Sequence, residues 1–334
     1  MWNIGRCWTR FAIPFNPMGI PYLRCAFATG GEDALCAAEG PGLTAFGVAD
    51  GCGGLGSRRY ENLQGHTGAW VAARATMQAL EHFVQREPRL PQTLTEGAAF
   101  RDRLEHQLGQ MLTGLAARYD APLPQRLTGS MQSPFPTTLC AALCQQEGDS
   151  LQVLLLHIGN SRACLWTPQG ILQLTKDDLR GAPDAFDSLY GDVPLRQYLS
   201  GENIPKLHLC RLRLKAPEML LLATDGAFDF VRSPMAWELL LWKALQKADS
   251  PEKWAEHMYT LWSQQAGDDA SLLLFPLSQD HYGALRLVSP ERVQGLTPLE
   301  RVRRMEPLRK SWESYRKKYD QTEGDADGRI YWRL

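Results

Sequence analysis

Two rhythms of apolar residues run along this chain, and the switches between them mark its elements. Short runs that are continuously apolar or strictly alternating, bounded by Gly, Pro, Asn or Asp, read as strands. They cover residues 22–27, 34–37, 44–49, 137–144, 151–158, 161–166, 171–174, 207–214, 219–224 and 270–275. Apolar residues recurring at steps of three and four read as helices. Trp70, Ala73, Met77, Leu80 and Phe83 predict one over about 61–85, closed by Pro88 and Pro91. Phe100, Leu104, Leu108, Leu112 and Leu115 predict a second over 95–119. Trp237, Leu240, Leu241 and Leu245 predict a third over 233–248, and a fourth follows over 251–265, with Pro251 at a first helical position. The strands between 137 and 174 have short connections, which predicts a meander of antiparallel neighbours.

The remaining stretches organise the chain into regions. Residues 1–20, broken by Pro14 and Pro17, read as a surface arm or short edge strand. Residues 21–283 hold all the strand and helix signals of the main domain. Within them 175–205 is polar and carries Asp177, Asp178, Asp184, Asp187 and Asp192. It reads as a long excursion over one end of a sheet, and such loops are uncommon unless functional. Residues 284–334 form an extension rich in Arg, Lys and Glu. Val302, Met305 and Leu308 within it predict amphipathic helix, docked on its own domain or solvated. The composition of 321–328 is that of a disordered segment.

Composition narrows the function classes. The chain has 334 residues, 44% of them hydrophobic, enough to bury a sizeable core. A net charge of -1 offers no global attraction to nucleic acid or an anionic membrane. No apolar stretch approaches the roughly 18–20 residues of a membrane span, and the N-terminus lacks an apolar signal core, so a cytoplasmic location is expected. The eight cysteines include no CxxC pair, which predicts reduced thiols and no zinc site.

Candidate chemistry gathers where strands stop. The run 44–49 ends in Asp50-Gly51-Cys52-Gly53-Gly54, and the run 219–224 ends in Asp225-Gly226. Glu32-Asp33 precedes one strand and Asp268-Asp269 precedes another. A lone Asp-Gly is ordinarily a turn. Four acidic groups at strand ends, brought to one edge of packed sheets, would repel one another unless a cation neutralised them. Oxygen ligands without His or Cys favour Mg²⁺ or Mn²⁺. Two such ions could bind a phosphoryl group and activate water. No P-loop, nucleophile elbow or Ser-His pair competes.

The order Glu32-Asp33, Ala49-Asp50-Gly51-Cys52-Gly53-Gly54, Thr137-Thr138-Leu139, Gly159-Asn160-Ser161-Arg162-Ala163, Thr224-Asp225-Gly226 and Asp268-Asp269-Ala270-Ser271 resembles the metal-dependent serine/threonine protein phosphatases of type 2C, over about residues 22–276. The resemblance implies an α+β fold, a four-layer α-β-β-α sandwich of two packed antiparallel sheets flanked by helix pairs. It implies a bacterial signalling enzyme in which a metal-bridging water attacks phosphoserine or phosphothreonine of proteins. Its partners would be phosphorylated proteins and a cognate Ser/Thr kinase. By position, Asp50 resembles the carboxylate bridging two Mg²⁺ or Mn²⁺ ions, with the Gly51 carbonyl and Glu32 on one and Asp225 and Asp268 on the other. Asp33 resembles the residue holding metal-bound water. Asp229 matches a residue of a third site, expected weak or absent because Asn160 replaces an aspartate. The arginine usual for substrate phosphate is replaced by Ala28, leaving Arg24, Arg58 and Arg59 as candidates. Arg162 is read as structural and His157 as a core histidine. The alternative implied by Ala28 and Asn160 is a pseudophosphatase that binds phosphoprotein or a kinase without hydrolysis.

Overall fold

A computed structural model describes residues 9–13, 22–26, 31–120, 132–147, 150–191, 193–214, 218–262, 264, 267–276, 281–319 and 330–333. The apolar runs build two six-stranded sheets, antiparallel throughout. The first contains, in spatial order, β1 (Thr9–Ile13), β2 (Tyr22–Ala26), β13 (Ser271–Pro276), β12 (Met219–Ala223), β9 (Arg162–Thr167) and β10 (Gly170–Gln173). The second contains β14 (Ile330–Arg333), β11 (His208–Leu214), β8 (Ser150–Ile158), β7 (Leu139–Glu147), β4 (Thr44–Ala49) and β3 (Ala34–Glu39). The short strands β5 (Arg59–Tyr60) and β6 (His66–Thr67) form a separate hairpin.

Strand parity sorts each side chain into one of three apolar layers. Phe46, Val48 and Leu155 of the second sheet face Leu165, Leu220 and Leu273 of the first. The alternate residues point outward. Ala45, Leu143 and Leu156 lie under α1 (Gly68–Val84) and α2 (Leu94–Tyr119). Trp166, Leu221 and Leu274 lie under α3 (Pro234–Lys247) and α4 (Pro251–Trp262). The sandwich is thus α-β-β-α, as the resemblance implied. The side that carries α3 and α4 also carries α5 (His281–Glu300) and α6 (Met305–Tyr319), so that layer has four helices rather than a pair.

Two local readings change. The strands between 137 and 174 do not form one meander: β7 pairs with β8 in one sheet, and β9 with β10 in the other. The chain changes sheets at Gly159, whose φ of 91° suits glycine, and where a Cβ would stand 2.6 Å from Thr138 Cγ2. Helix α1 begins at Gly68 rather than near Glu61, because residues 59–67 close the small hairpin and Thr67 caps the helix by accepting from the Trp70 N–H at 3.1 Å. The charged extension docks on its own domain. Leu285, Leu296, Leu308, Trp312 and Tyr319 are buried in the layer outside the first sheet, while the Arg and Lys residues keep the other face in water. Residues 321–328 and Ala28 lie outside the described residues.

Candidate active site

Antiparallel pairing brings the acids together. In the second sheet Ala34 pairs with Ala49, so Asp33 at the start of β3 meets Asp50 at the end of β4. In the first sheet Ala223 pairs with Leu272, so Asp225 after β12 meets Asp268-Asp269 before β13. Packing sets these two sheet ends side by side. The Glu32 N–H donates to Asp269 Oδ2 at 2.6 Å, and Thr224 Oγ1 donates to Asp33 Oδ2 at 2.7 Å. The result is a cleft of about 730 Å³ lined by Glu32, Asp50, Asp225, Asp268 and Asp269, with Gly51, Cys52 and Gly53 between them.

Each acid is held by a local device. The Asp50 N–H donates to Thr138 Oγ1 at 3.0 Å, and the Asp50 carbonyl accepts from Thr137 Oγ1 and the Thr138 N–H, both at 2.8 Å. Gly51 forms a bridge with Thr137, so the glycine turn is fastened to the start of β7. Glu32 accepts a short hydrogen bond from Thr67 Oγ1, the same hydroxyl that caps α1. A Cβ on Gly53 would lie 2.1 Å from Glu32 Oε2, so this glycine is what lets the carboxylate close on the turn. Asp225 Oδ2 accepts from Asn160 Nδ2 at 2.8 Å.

The electrostatics are those of like charges crowded away from water. Burial raises the pKa of Asp50 well above the ordinary range, and Asp225, Asp33 and Asp268 push it further. Asp225 is raised by burial and by Asp268, against the hydrogen bond from Asn160. Asp33 is pushed up to about 8 by burial despite its hydroxyl donors, and Asp229 to about 8 by burial and by Asp225. Glu32 is raised by burial against the Thr67 hydrogen bond. Among the described residues no group of three or more His, Cys, Asp or Glu side chains is arranged as a ready-made cation site. The donor set nevertheless fits hard divalent cations. It is all oxygen, its charges destabilise one another, and the buried Asn160 Oδ1 beside Asp225 has no hydrogen-bond partner among the described residues.

Other expected residues fall elsewhere. Asp229 is not on the cleft surface; it sits within the field of Asp225, Arg162 and Asp177. Arg58 is paired with Asp120 and lies over the Tyr60 ring, and Arg59 donates to the Gly65 carbonyl at 2.9 Å. Neither lines the cleft, although the charge of Arg59 is felt at Glu32. Arg24 is on β2, and its side chain is outside the described residues. Arg162 is structural: its guanidinium meets Asp177 through Nε at 3.1 Å and Nη2 at 2.6 Å and lies 3.8 Å from the Phe228 ring. His157 is buried and stacks on His208 with ring centroids 4.7 Å apart. Cys52 is buried at the cleft, and burial raises its thiol pKa well above the ordinary value.

Sequence reading missed three contributors. Thr67 was hidden by a helix start placed too early; its position before an apolar helical stripe was the signal. Arg74, on the same helix, stacks on Trp70 at 3.8 Å and donates to the Gly31 carbonyl at 3.2 Å, bracing the loop that carries Glu32. Arg180 lines the cleft from the 175–205 excursion, where no periodicity marked it.

An α-β-β-α sandwich with acids crowded at one end of both sheets is the architecture of the type 2C serine/threonine phosphatases. The chain belongs to the protein phosphatase 2C family, whose sequence profile matches residues 29–271. Its fold is similar to that of the serine/threonine phosphatase PstP/Ppp of Mycobacterium tuberculosis, at 19% identity over 81% of this chain and 98% of that one, with a TM-score of 0.51. It is also similar to Stp1 of Staphylococcus aureus, at 14% identity over 80% and 93%, TM-score 0.55. A third likeness is to a bacterial serine phosphatase, at 15% identity over 81% and 97%, TM-score 0.56. No curated protein sequence matches the chain. Among the described residues no helix is long and apolar enough to cross a membrane.

Proposed function

We propose that this protein hydrolyses phosphoserine and phosphothreonine in proteins, with Mg²⁺ or Mn²⁺ as cofactor, and that a Ser/Thr kinase of the same cell supplies its substrates. The observation that carries the reading is the convergence of Glu32, Asp50, Asp225 and Asp268 on one cleft from four separate strand ends. Asp50, the Gly51 carbonyl and Glu32 would hold one ion, and Asp50, Asp225 and Asp268 the other. Asp229 lies behind Asp225, where a third, weaker site would be. When bound, the cations supply positive charge for phosphoryl oxygens and Lewis-acid activation of water.

The chain's own residues prepare that site. Thr137 and Thr138 fix the Asp50 backbone, Thr67 sets the Glu32 carboxylate, and Asn160 orients Asp225. Asp33, buried and accepting from Thr224, is positioned to hold a proton beside Asp50. The acids repel one another without positive charge, so the site's preference for dications follows from its own electrostatics.

The test is Mn²⁺-dependent hydrolysis of a phosphothreonine peptide by wild type and by Asp50→Asn. Turnover by the wild type and its loss in the variant are expected. Equal turnover in both would remove Asp50 from the mechanism. A second reading, a pseudophosphatase that binds phosphoprotein, is favoured by the neutral Asn160 beside Asp225. It predicts Mn²⁺ binding by the wild type with no turnover.

A further inference from the structure

We propose that Arg180, reaching into the cleft from the 175–205 excursion, is the side chain that binds the phosphoryl oxygens of the substrate. The identity of that substrate rests on the phosphatase reading above; the placement of the arginine does not. Among the described residues that line the cleft, Arg180 is the only basic one. Its side chain makes no hydrogen bond or ion pair among the described residues, and it is exposed. Every nearby arginine is already engaged. Arg162 is bound to Asp177, Arg196 to Asp178 at 3.2 Å, Arg58 to Asp120, and Arg74 to the Gly31 carbonyl.

The acids beside Arg180 in sequence are likewise spent on other partners. Asp177 is taken by Arg162, and Asp178 accepts from His208 Nε2 at 3.0 Å as well as from Arg196. The guanidinium is therefore uncommitted on a residue that lines the same cleft as Glu32, Asp50, Asp225, Asp268 and Asp269.

Its backbone is fixed although it belongs to a long connection. The Arg180 N–H donates to the Pro194 carbonyl at 3.0 Å, and Leu179 forms a bridge with Leu195. The Asp178 N–H donates to the Gly159 carbonyl at 2.9 Å, and the Gly159 N–H returns to Asp178 Oδ2 at 3.2 Å. Gly159 immediately precedes Asn160, which holds Asp225. A short chain of hydrogen bonds thus ties the base of Arg180 to the acid cluster. A planar fork of N–H donors on such a base suits the oxygens of a tetrahedral dianion.

The experiment compares wild type, Arg180→Ala and Arg180→Lys in Mn²⁺. Steady-state hydrolysis of a phosphothreonine peptide and its inhibition by inorganic phosphate are measured, with calorimetric binding of Mn²⁺ and of inorganic phosphate to the Mn²⁺-loaded protein. In Arg180→Ala, KM and the phosphate inhibition constant should both rise about 10- to 100-fold, with Mn²⁺ affinity unchanged. Arg180→Lys should fall between, because it keeps the charge and loses the fork. Unchanged KM and phosphate inhibition in Arg180→Ala would overturn the assignment, and so would an equal fall in Mn²⁺ affinity. Absence of turnover in the wild type would sink the phosphatase reading alone. In that case weaker calorimetric phosphate binding by Arg180→Ala still supports Arg180, and equal binding, or none by the wild type, overturns it.

Discussion

Carboxylates gather on both sides of the Gly159-Asn160 turn, under opposite conditions. In the cleft, Glu32, Asp50, Asp225, Asp268 and Asp269 face one another, and they receive hydroxyl, amide and backbone donors but, among the described residues, no ion pair. In the excursion, four acids each have a cation of their own. Asp177 has Arg162, Asp178 has Arg196 and His208, Asp184 has Arg316, and Asp187 has Arg309. The first arrangement costs stability, and on the proposed reading bound cations would relieve it; in the second the charges are compensated within the chain. An acidic cluster therefore reports function through the absence of a countercharge, not through the number of acids.

Substituting the same pair of residue types on both sides should break the symmetry. Asp50→Asn is expected to cut turnover by roughly 10³-fold or more, a loss of about 4 kcal/mol of transition-state stabilisation. The same change should leave the metal-free protein at least as stable as wild type in urea, because it removes a charge repelled by Asp225 and Asp33. Asp177→Asn should do the reverse to stability. It uncouples a guanidinium that is 2% exposed and costs about 3–4 kcal/mol by urea unfolding. A metal-free Asp50→Asn that is less stable than wild type would overturn this comparison.

Acid titration separates the two regions with a smaller effect. Burial pushes Asp178 up, but hydrogen bonds and charge from His208, the Gly159 N–H and Arg196 outweigh it and hold the carboxyl below its ordinary value. Its stabilising contribution is fully present above about pH 4 and is lost as pH falls through the folded value. Asp178→Asn should therefore flatten the acid limb of a urea-midpoint profile. Asp33, pushed up to about 8, has the opposite sign: the folded metal-free protein binds the extra proton, so stability falls as pH rises from about 4 towards 8. Mn²⁺ should abolish that decline. The smallest effect is expected from Thr67→Val, which removes the cap of α1 at a cost of about 1 kcal/mol and frees Glu32. Its sharper readout is weaker Mn²⁺ binding by calorimetry, and unchanged binding would reduce Thr67 to a helix cap.

How much of this was legible depended on whether the cause was local. The runs ending in Asp50 and Asp225 are apolar on both parities because each is covered on both faces, and that shows in sequence. The crossing at Gly159 does not show, because periodicity says that a segment is a strand and not which sheet receives it. Burial of the extension was masked by its composition. Leu308, Trp312 and Tyr319 are a minority among charged neighbours, yet with Tyr315 they form the inward face of α6. Arg180 was illegible for a different reason. Its place depends on hydrogen bonds that an aperiodic segment donates to the Pro194 and Gly159 carbonyls.

The seat of α6 on the excursion has a consequence for how the chain folds. Trp312 Nε1 donates to Asp184 Oδ2 across 128 residues of sequence, and Arg316 reaches the same oxygen across 132. The Phe186 ring stacks on Trp312 at 6.3 Å. Closing loops of that length is slow compared with pairing β7 with β8 across their tight connection. The excursion that carries Arg180 is thus expected to gain its final order after β7 and β8 have paired, once α6 has arrived.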